Sequence, residues 1–303
     1  MQVFLTGGTG FVGREILLQL IAAGHKVRAL VRRGSEDKLA VVQDVDVHFG
    51  DVADAGSLAG ALTGCDAVIH LVGIIREFPD KGITFQRLHV DATRNLIEAA
   101  EAQGVKRFVH MSANGARPNA EAVYHQTKWE AEELLRASDL DWTIFRPSLV
   151  FGRGGDFVDM LADLIRKMPI VPVIGKGRYR MQPVAIEDLA ASFVKALDLP
   201  KTIGQTYQVG GSESYTYEEI LDLTGKAIGK SSVRKLHHPL FMMKPVIKLL
   251  EGVAAFPITS DQLIMMLEGN VCDPTEWAKT FKIKPKSYAE GIGRCLQTNR
   301  PKK

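Results

Sequence analysis

The sequence predicts an α/β protein: a doubly wound parallel sheet with a smaller, mostly helical C-terminal lobe. Short β-branched runs alternate with helical stretches from the start to about residue 150, the pattern of parallel strands covered by helices on both faces. The first of these runs, Val3-Phe4-Leu5, leads directly into Gly7-Gly8-Thr9-Gly10-Phe11-Val12-Gly13 and then into an amphipathic helix.

Glycine is what a strand needs when it must turn sharply into a helix. It leaves no Cβ where backbone approaches a phosphate or where the helix packs on the sheet. The helix N-terminus adds free N–H groups and the positive end of its dipole, so Gly7 to Gly13 read as a cradle for a dinucleotide pyrophosphate. Phe11, Ile16, Leu17, Leu20 and Ile21 fall at three-to-four spacing, and Ala22-Ala23-Gly24-His25 closes the helix.

Further strands are expected at Lys26–Val31, Val45–Phe49, 67–72, Arg107–Met111 and 143–146, separated by helices of about ten or more residues. After Gly152, glycine- and proline-punctuated pieces such as Arg153-Gly154-Gly155-Asp156 and Pro169-Ile170-Val171-Pro172 suit a lobe built on loops. A helix at Ile186–Leu197 and a strand at 206–209 return to the sheet. From Tyr217 onward the chain is largely helical and is expected to form the lid over a substrate cleft. The expected division is residues 1–150 with 181–211 for the dinucleotide-binding core, and 151–180 with 212–303 for the substrate lobe.

With 303 residues and 46% hydrophobic content the chain can bury a large core. A net charge of +3, with scattered Lys and Arg, gives no footprint for a nucleic-acid partner; the run at 299–303 reads as a solvated basic terminus. Cys65, Cys272 and Cys295 are too dispersed for a disulfide framework or a zinc site, and no metal is expected. A strand starting at residue 2 leaves no room for a targeting segment and no apolar run reaches membrane-span length, so the expectation is a soluble, cytoplasmic protein.

In a fold of this kind an acidic residue at the end of the second strand selects NAD(H). Here the place reads Leu30-Val31-Arg32-Arg33, which favours NADP(H) over NAD(H), the bland alternative being a solvated strand end. Asp51 can accept from an adenine amino group with Val52 against the ring, or serve as a surface N-cap. Past His70, expected to be a packed strand residue, the backbone of Leu71, Val72 and Gly73 approaches the cofactor at the sheet's carboxyl edge. Tyr124 and Lys128, four apart at a helix start, share one face; an ammonium beside a phenol favours the phenolate and can also hold a nicotinamide ribose. An ordinary surface pair has the same spacing.

Joined to the glycine motif, the Tyr–Lys pair resembles the short-chain dehydrogenase/reductase superfamily, in its extended or atypical, epimerase/dehydratase-like Rossmann branch, over nearly the whole chain. Arg146-Pro147-Ser148-Leu149-Val150-Phe151-Gly152 is similar to that family's nicotinamide-side loop. Gln182-Pro183-Val184-Ala185-Ile186-Glu187-Asp188 and Gln205-Thr206-Tyr207-Gln208-Val209-Gly210-Gly211 are similar to its later segments. Arg107 to Ala116 looks most like the group of the Rossmann-fold accessory subunit of respiratory complex I and its bacterial relatives.

The resemblance implies that Pro147, Ser148, Leu149 and Val150 border the cofactor. It also implies that Tyr124 exchanges a proton with a carbonyl or alcohol oxygen held by Ser112 or Asn114, and that Lys128 tunes Tyr124. The chain departs from the pattern twice: Asn114 stands at the register of the catalytic Ser or Thr, and His89 at that of a supporting Asn. Each is a substituted donor or a mark of lost hydride chemistry. Two readings follow: an oxidoreductase or epimerase for a small or lipid-like, quinone- or isoprenoid-like substrate, or a non-catalytic nucleotide-binding assembly protein.

Phe241 to Leu250 and Leu263 to Leu267 are apolar and methionine-rich, and the plain expectation is helix core. The alternatives are a greasy cleft, or an amphipathic face, with Lys244 and Lys248 at its side, that meets a membrane or a protein partner. Arg153, Arg178 and Arg180 read equally as ligands for an anionic substrate group or as solvated loop residues.

Overall fold

The computed structural model describes residues 1–253 and 256–296; the basic terminus at 299–303 lies outside them. The chain divides into two compact units, the first made of Met1–Pro147, Glu187–Gln208 and Thr275–Ile283, the second of Ser148–Ile186, Val209–Pro274 and the residues from Lys284 on.

The first unit opens with β1 (Gln2–Thr6), α1 (Phe11–Ala22), β2 (Lys26–Val31), β3 (Val45–Phe49), β4 (Ala67–His70), α2 (Ala92–Ala102), β5 (Arg107–Met111), α3 (Val123–Arg136) and β6 (Asp141–Pro147). The strands stand in the order β3-β2-β1-β4-β5-β6, parallel throughout. Succession reverses between β1 and β4, so the loops leaving these two strands emerge side by side at the carboxyl edge, where open α/β sheets bind ligands. Apolar residues of the buried strands, Phe4, Val68, Phe108 and Ile144 among them, pack into one core with α2.

Two crossovers depart from expectation. Between β2 and β3, and between β3 and β4, the chain makes only 3-10 turns at Glu36–Lys38 and Ala55–Leu58 in place of full helices. Gly34, Gly60 and Gly64 take φ of 80°, 71° and 78°, and Asp54 accepts the Gly56 N–H at 3.0 Å, local turn chemistry that outcompetes a helix.

The second unit holds β7 (Val150–Phe151), α4 (Asp156–Lys167), β8 (Val171–Ile174), β9 (Arg180–Met181) and β10 (Val184–Ala185). The chain then passes back to the first unit with α5 (Ile186–Leu197) and β11 (Gln205–Val209), the seventh strand, beside β6. There follow β12 (Tyr215–Thr216), α6 (Tyr217–Ala227), β13 (Lys235–His238), α7 (Leu240–Leu250) and α8 (Ser260–Glu268). Last come α9 (Thr275–Phe281), which belongs to the first unit, and α10 (Tyr288–Leu296), which belongs to the second. Phe281 of α9 packs on Phe145 and Tyr207 at centroid distances of 5.3 and 5.0 Å.

The segment expected to be loops contains α4, a 12-residue amphipathic helix with Asp156 and Asp159 in its first turn and Arg166 and Lys167 in its last, each suited to the dipole. Helices α6 and α8 begin with capping boxes, Thr216 with Glu219 and Thr259 with Gln262. The expectation that the Phe241–Leu250 segment is core is corrected: α7 buries Ile247 alone.

Candidate functional site

The cradle forms as its sequence requires. Gly7 has φ +77°, and a Cβ there would stand 3.2 Å from the Leu71 carbonyl carbon and 3.3 Å from Val72 N, so the loops after β1 and β4 touch through backbone. A Cβ on Gly13 would lie 2.0 Å from Gly7 O, which is why α1 can sit against the turn only with glycine there. Gly10 donates its N–H to Gly7 O at 3.0 Å. As the N-cap of α1, Gly10 supplies no side-chain cap, and the first turn carries no acidic residue. Thr9, Phe11 and Val12 are half-buried at this turn. Uncapped N–H groups at a glycine-lined helix start fit a pyrophosphate, so the residues present suit a dinucleotide.

At the end of β2, Arg32 and Arg33 are exposed, and the Arg33 guanidinium lies 4.8 Å over the Phe49 ring at the end of β3. Asp51 uses Oδ1 to accept the Ala53 N–H at 3.0 Å, and its own N–H donates to Ser57 Oγ at 3.0 Å. The Val52 side chain is 3% exposed and packs into the sheet core, leaving the backbone to face any ring at that loop. Asn95, which sequence reasoning left without a role, donates to Val52 O at 3.1 Å and so fixes the loop.

Behind the carboxyl edge lies a buried polar row. Thr6, His70 and His110 stand abreast on β1, β4 and β5. Thr93 gives its single hydroxyl proton to His89 O at 2.6 Å, so His70 Nε2 donates to Thr93 Oγ1 at 3.1 Å and Nδ1 accepts from Thr6 Oγ1 at 2.7 Å. The His110 ring stacks on that of His70 at 5.3 Å, and neither of its nitrogens has a partner among the described residues.

His89 stands on a wide π-helical turn over Gln86–Asp91 that runs into α2. Its Nδ1 pairs with Thr127 Oγ1 at 2.9 Å and its Nε2 with the Ile74 backbone at 3.1 Å, so both ring nitrogens serve the protein. Burial, aided by the Lys128 charge, pushes His89 down to about 2 and His70 to about 3, and holds His110 well below the ordinary imidazole range.

Helix α3 delivers Tyr124, Thr127 and Lys128. Lys128 is 2% exposed; its Nζ donates to Met111 O at 3.1 Å, and a Cβ on Gly73 would stand 2.9 Å from it. Burial lowers its pKa to about 8 against the opposing pull of Glu132 one turn on. The Tyr124 ring meets His89 edge-on at 5.3 Å and Phe85 at 5.8 Å. The Ser112 hydroxyl is buried without a partner among the described residues, and Asn114 is tied through its N–H to Pro147 O at 2.9 Å.

Glu132, which the motifs do not flag, is fully buried and clamped by Arg146 at 2.8 and 2.6 Å and by Arg136 at 2.6 Å, fixing α3 to β6. Its spacing from Lys128, four residues on the same helix face, was the available signal.

Ser148, Leu149 and Val150 belong to the second unit, where Ser148 Oγ donates to Gln182 O at 2.7 Å and Val150 pairs with Val184. Of the loop arginines, Arg153 is exposed and Arg180 is spent on Ser214 at 2.6 to 3.1 Å. Arg178 borders an open hollow of about 610 Å³ with Lys176, Tyr179, His237, Leu240 and Leu267. Among the described residues no cluster of side chains could hold a metal ion, and no helix is long and apolar enough to cross a membrane.

A family model described as NAD(P)H-binding matches residues 7–154. The chain is 28% identical over 303 residues to the mitochondrial NADH-ubiquinone oxidoreductase 40 kDa subunit of Neurospora crassa, covering 97% of this chain and 78% of that protein. It is 31% identical over 219 residues to the ceramide reductase of Caulobacter vibrioides, covering 72% of this chain and 68% of that one. The structure of dTDP-glucose 4,6-dehydratase from Streptomyces venezuelae, solved with NAD bound, superposes with a TM-score of 0.77 over 98% of this chain and 96% of that one at 23% identity, a likeness of fold.

Proposed function

The chain belongs to the extended or atypical short-chain dehydrogenase/reductase superfamily and is NAD(P)-binding, and from that premise we propose that it is an NADP(H)-preferring oxidoreductase or epimerase for a carbonyl or alcohol of a small or lipid-like substrate. The observation that carries the reading is Lys128: an ammonium buried under Gly73 with one backbone carbonyl for a partner, one helical turn from Tyr124. A cation kept dry beside a phenol favours its ionised form, and the same cation can donate to a ribose hydroxyl.

Gly7 to Gly13 hold the pyrophosphate, and Arg32 and Arg33 take the 2′-phosphate. The backbone at Asp51 and Val52 borders the adenine, and Leu71, Val72 and Gly73 line the dinucleotide's path. Pro147, Ser148, Leu149 and Val150 contribute on the nicotinamide side. When bound, the nicotinamide supplies a hydride donor or acceptor. Tyr124 exchanges the proton with the substrate oxygen, which Ser112 or Asn114 holds by hydrogen bond. His89 acts through Ile74 rather than on the cofactor itself, since both its nitrogens are engaged.

That engagement favours a second reading, in which the fold keeps NADP(H) without turnover as part of a protein assembly, the setting of the Neurospora relative. The test is Tyr124→Phe. Catalysis predicts a loss of at least about 100-fold in kcat on whichever carbonyl of a panel oxidises the bound reduced cofactor, with cofactor affinity within about twofold. If wild-type protein leaves the reduced cofactor intact across small carbonyls, quinones and long-chain ketones, the assembly reading stands. In calorimetry, Arg32→Ala with Arg33→Ala should weaken NADPH roughly tenfold or more and leave NADH unchanged. Equal weakening of both removes the NADP preference.

A further inference from the structure

We propose that α7 is an interfacial helix that lays its outer face onto an anionic lipid surface. The outward positions of α7 are Phe241, Met242, Pro245, Val246 and Leu249, which fall on one arc of roughly 140° at helical spacing. Phe241 is 76% exposed and Leu249 82%, large apolar side chains that a water-facing helix does not need. Ile247, on the opposite side, is the only fully buried residue of the helix, so the apolar arc is surplus to the packing of the second unit.

The border of the arc is cationic. Lys244 and Lys248 follow one another along the Phe241 side, α7 carries no acidic residue between Leu240 and Leu250, and neither lysine is paired with a described acidic group. Lys176 and Arg178, beside the start of α7 at the Leu240 hollow, are likewise unpaired among the described residues. Apolar side chains entering the acyl boundary, with lysine stems running along them to place ammonium groups at phosphate level, is the arrangement that binds anionic bilayers.

Charge also discriminates against a second copy as the occupant. A two-fold contact through this face would bring Lys244 and Lys248 of each copy toward those of the other, with no carboxylate on the helix to receive them. This inference stands apart from the catalytic reading, because it uses neither the cradle nor Tyr124.

The experiment is co-sedimentation of the full chain with vesicles of phosphatidylcholine mixed with phosphatidylglycerol, and with vesicles of phosphatidylcholine alone, at low and high salt. Binding to the mixed vesicles that weakens as salt rises is expected. Lys244→Ala with Lys248→Ala should lower the partition coefficient on mixed vesicles about 25-fold, at about fivefold per lysine, and Phe241→Asp with Leu249→Asp should abolish it. All four sites are exposed, so thermal unfolding should be unchanged. Wild-type protein that stays in the supernatant at low salt overturns the proposal. So does equal pelleting of wild type and the Phe241/Leu249 variant, or a wild-type dimer in solution that this variant dissociates.

Discussion

Lys128 is where sequence, burial and chemistry meet in one side chain. Its pKa falls to about 8 from an ordinary value of 10.5 because burial disfavours the ammonium. Below pH 8 it is charged in both folded and unfolded chains, and the full desolvation cost is present. Between pH 8 and about 10.5 the unfolded chain binds the proton that the folded chain has lost, so stability rises with pH, by up to about 3 kcal/mol from this group alone. Lys128→Met should therefore be at least as stable as wild type at pH 7, lack that rise in a series of denaturant titrations from pH 7.5 to about 10.5, and lose turnover. A Lys128→Met protein that melts well below wild type at pH 7 would show that the Met111 hydrogen bond outweighs desolvation.

At the level of elements, two glycines in the same site should behave differently because of what a new methyl group meets. A Cβ on Gly13 would strike Gly7 O at 2.0 Å, backbone that can yield only if α1 moves off the turn. Gly13→Ala should cost about 3 kcal/mol in chemical denaturation and leave no measurable dinucleotide binding. A Cβ on Gly73 would meet the far end of Lys128 at 2.9 Å, a side chain that can swing aside. Gly73→Ala should keep stability within about 1 kcal/mol while kcat drops, since the displaced ammonium no longer faces its carbonyl. Equal effects of the two substitutions on stability would refute this account.

The same contrast marks what the sequence made legible. Gly13 and the strands at Lys26–Val31, Val45–Phe49 and Arg107–Met111 follow from periodicity and turn chemistry, and they form where expected. The work of His89 does not, because its ring reaches Ile74 and Thr127 only through a π-helical turn and a loop contact that no local pattern encodes. Likewise Phe241 to Leu250 shows a helix but not which way it faces. Its apolar residues fall all round the helix apart from the edge held by Lys244 and Lys248, and only the partners around Ile247 decide which apolar side faces out.

For the molecule as a whole, the buried histidines set its acid limit. His70 and His89 fall to about 3 and about 2, and His110 lies well below its ordinary range, chiefly through burial. Each is neutral when folded and binds a proton near pH 6.5 when unfolded, so their contribution is complete above pH 6.5 and is lost as pH falls toward the folded values. At pH 5 His70 and His89 each cost about 2 kcal/mol, together a large share of the stability of a typical domain, and His110 acts in the same direction. Lys128, protonated in both states there, adds no slope. Urea titrations between pH 7 and 4.5 should thus show stability of the first unit falling at up to about 4 kcal/mol per pH unit, the slope of three protons taken up on unfolding. His110→Phe should remove one of those protons and also raise stability at pH 7, because the two unpartnered ring nitrogens are gone while the stack on His70 can be kept. A slope worth a single proton, or one that His110→Phe leaves unchanged, would mean that these rings find water or one another before the sheet opens.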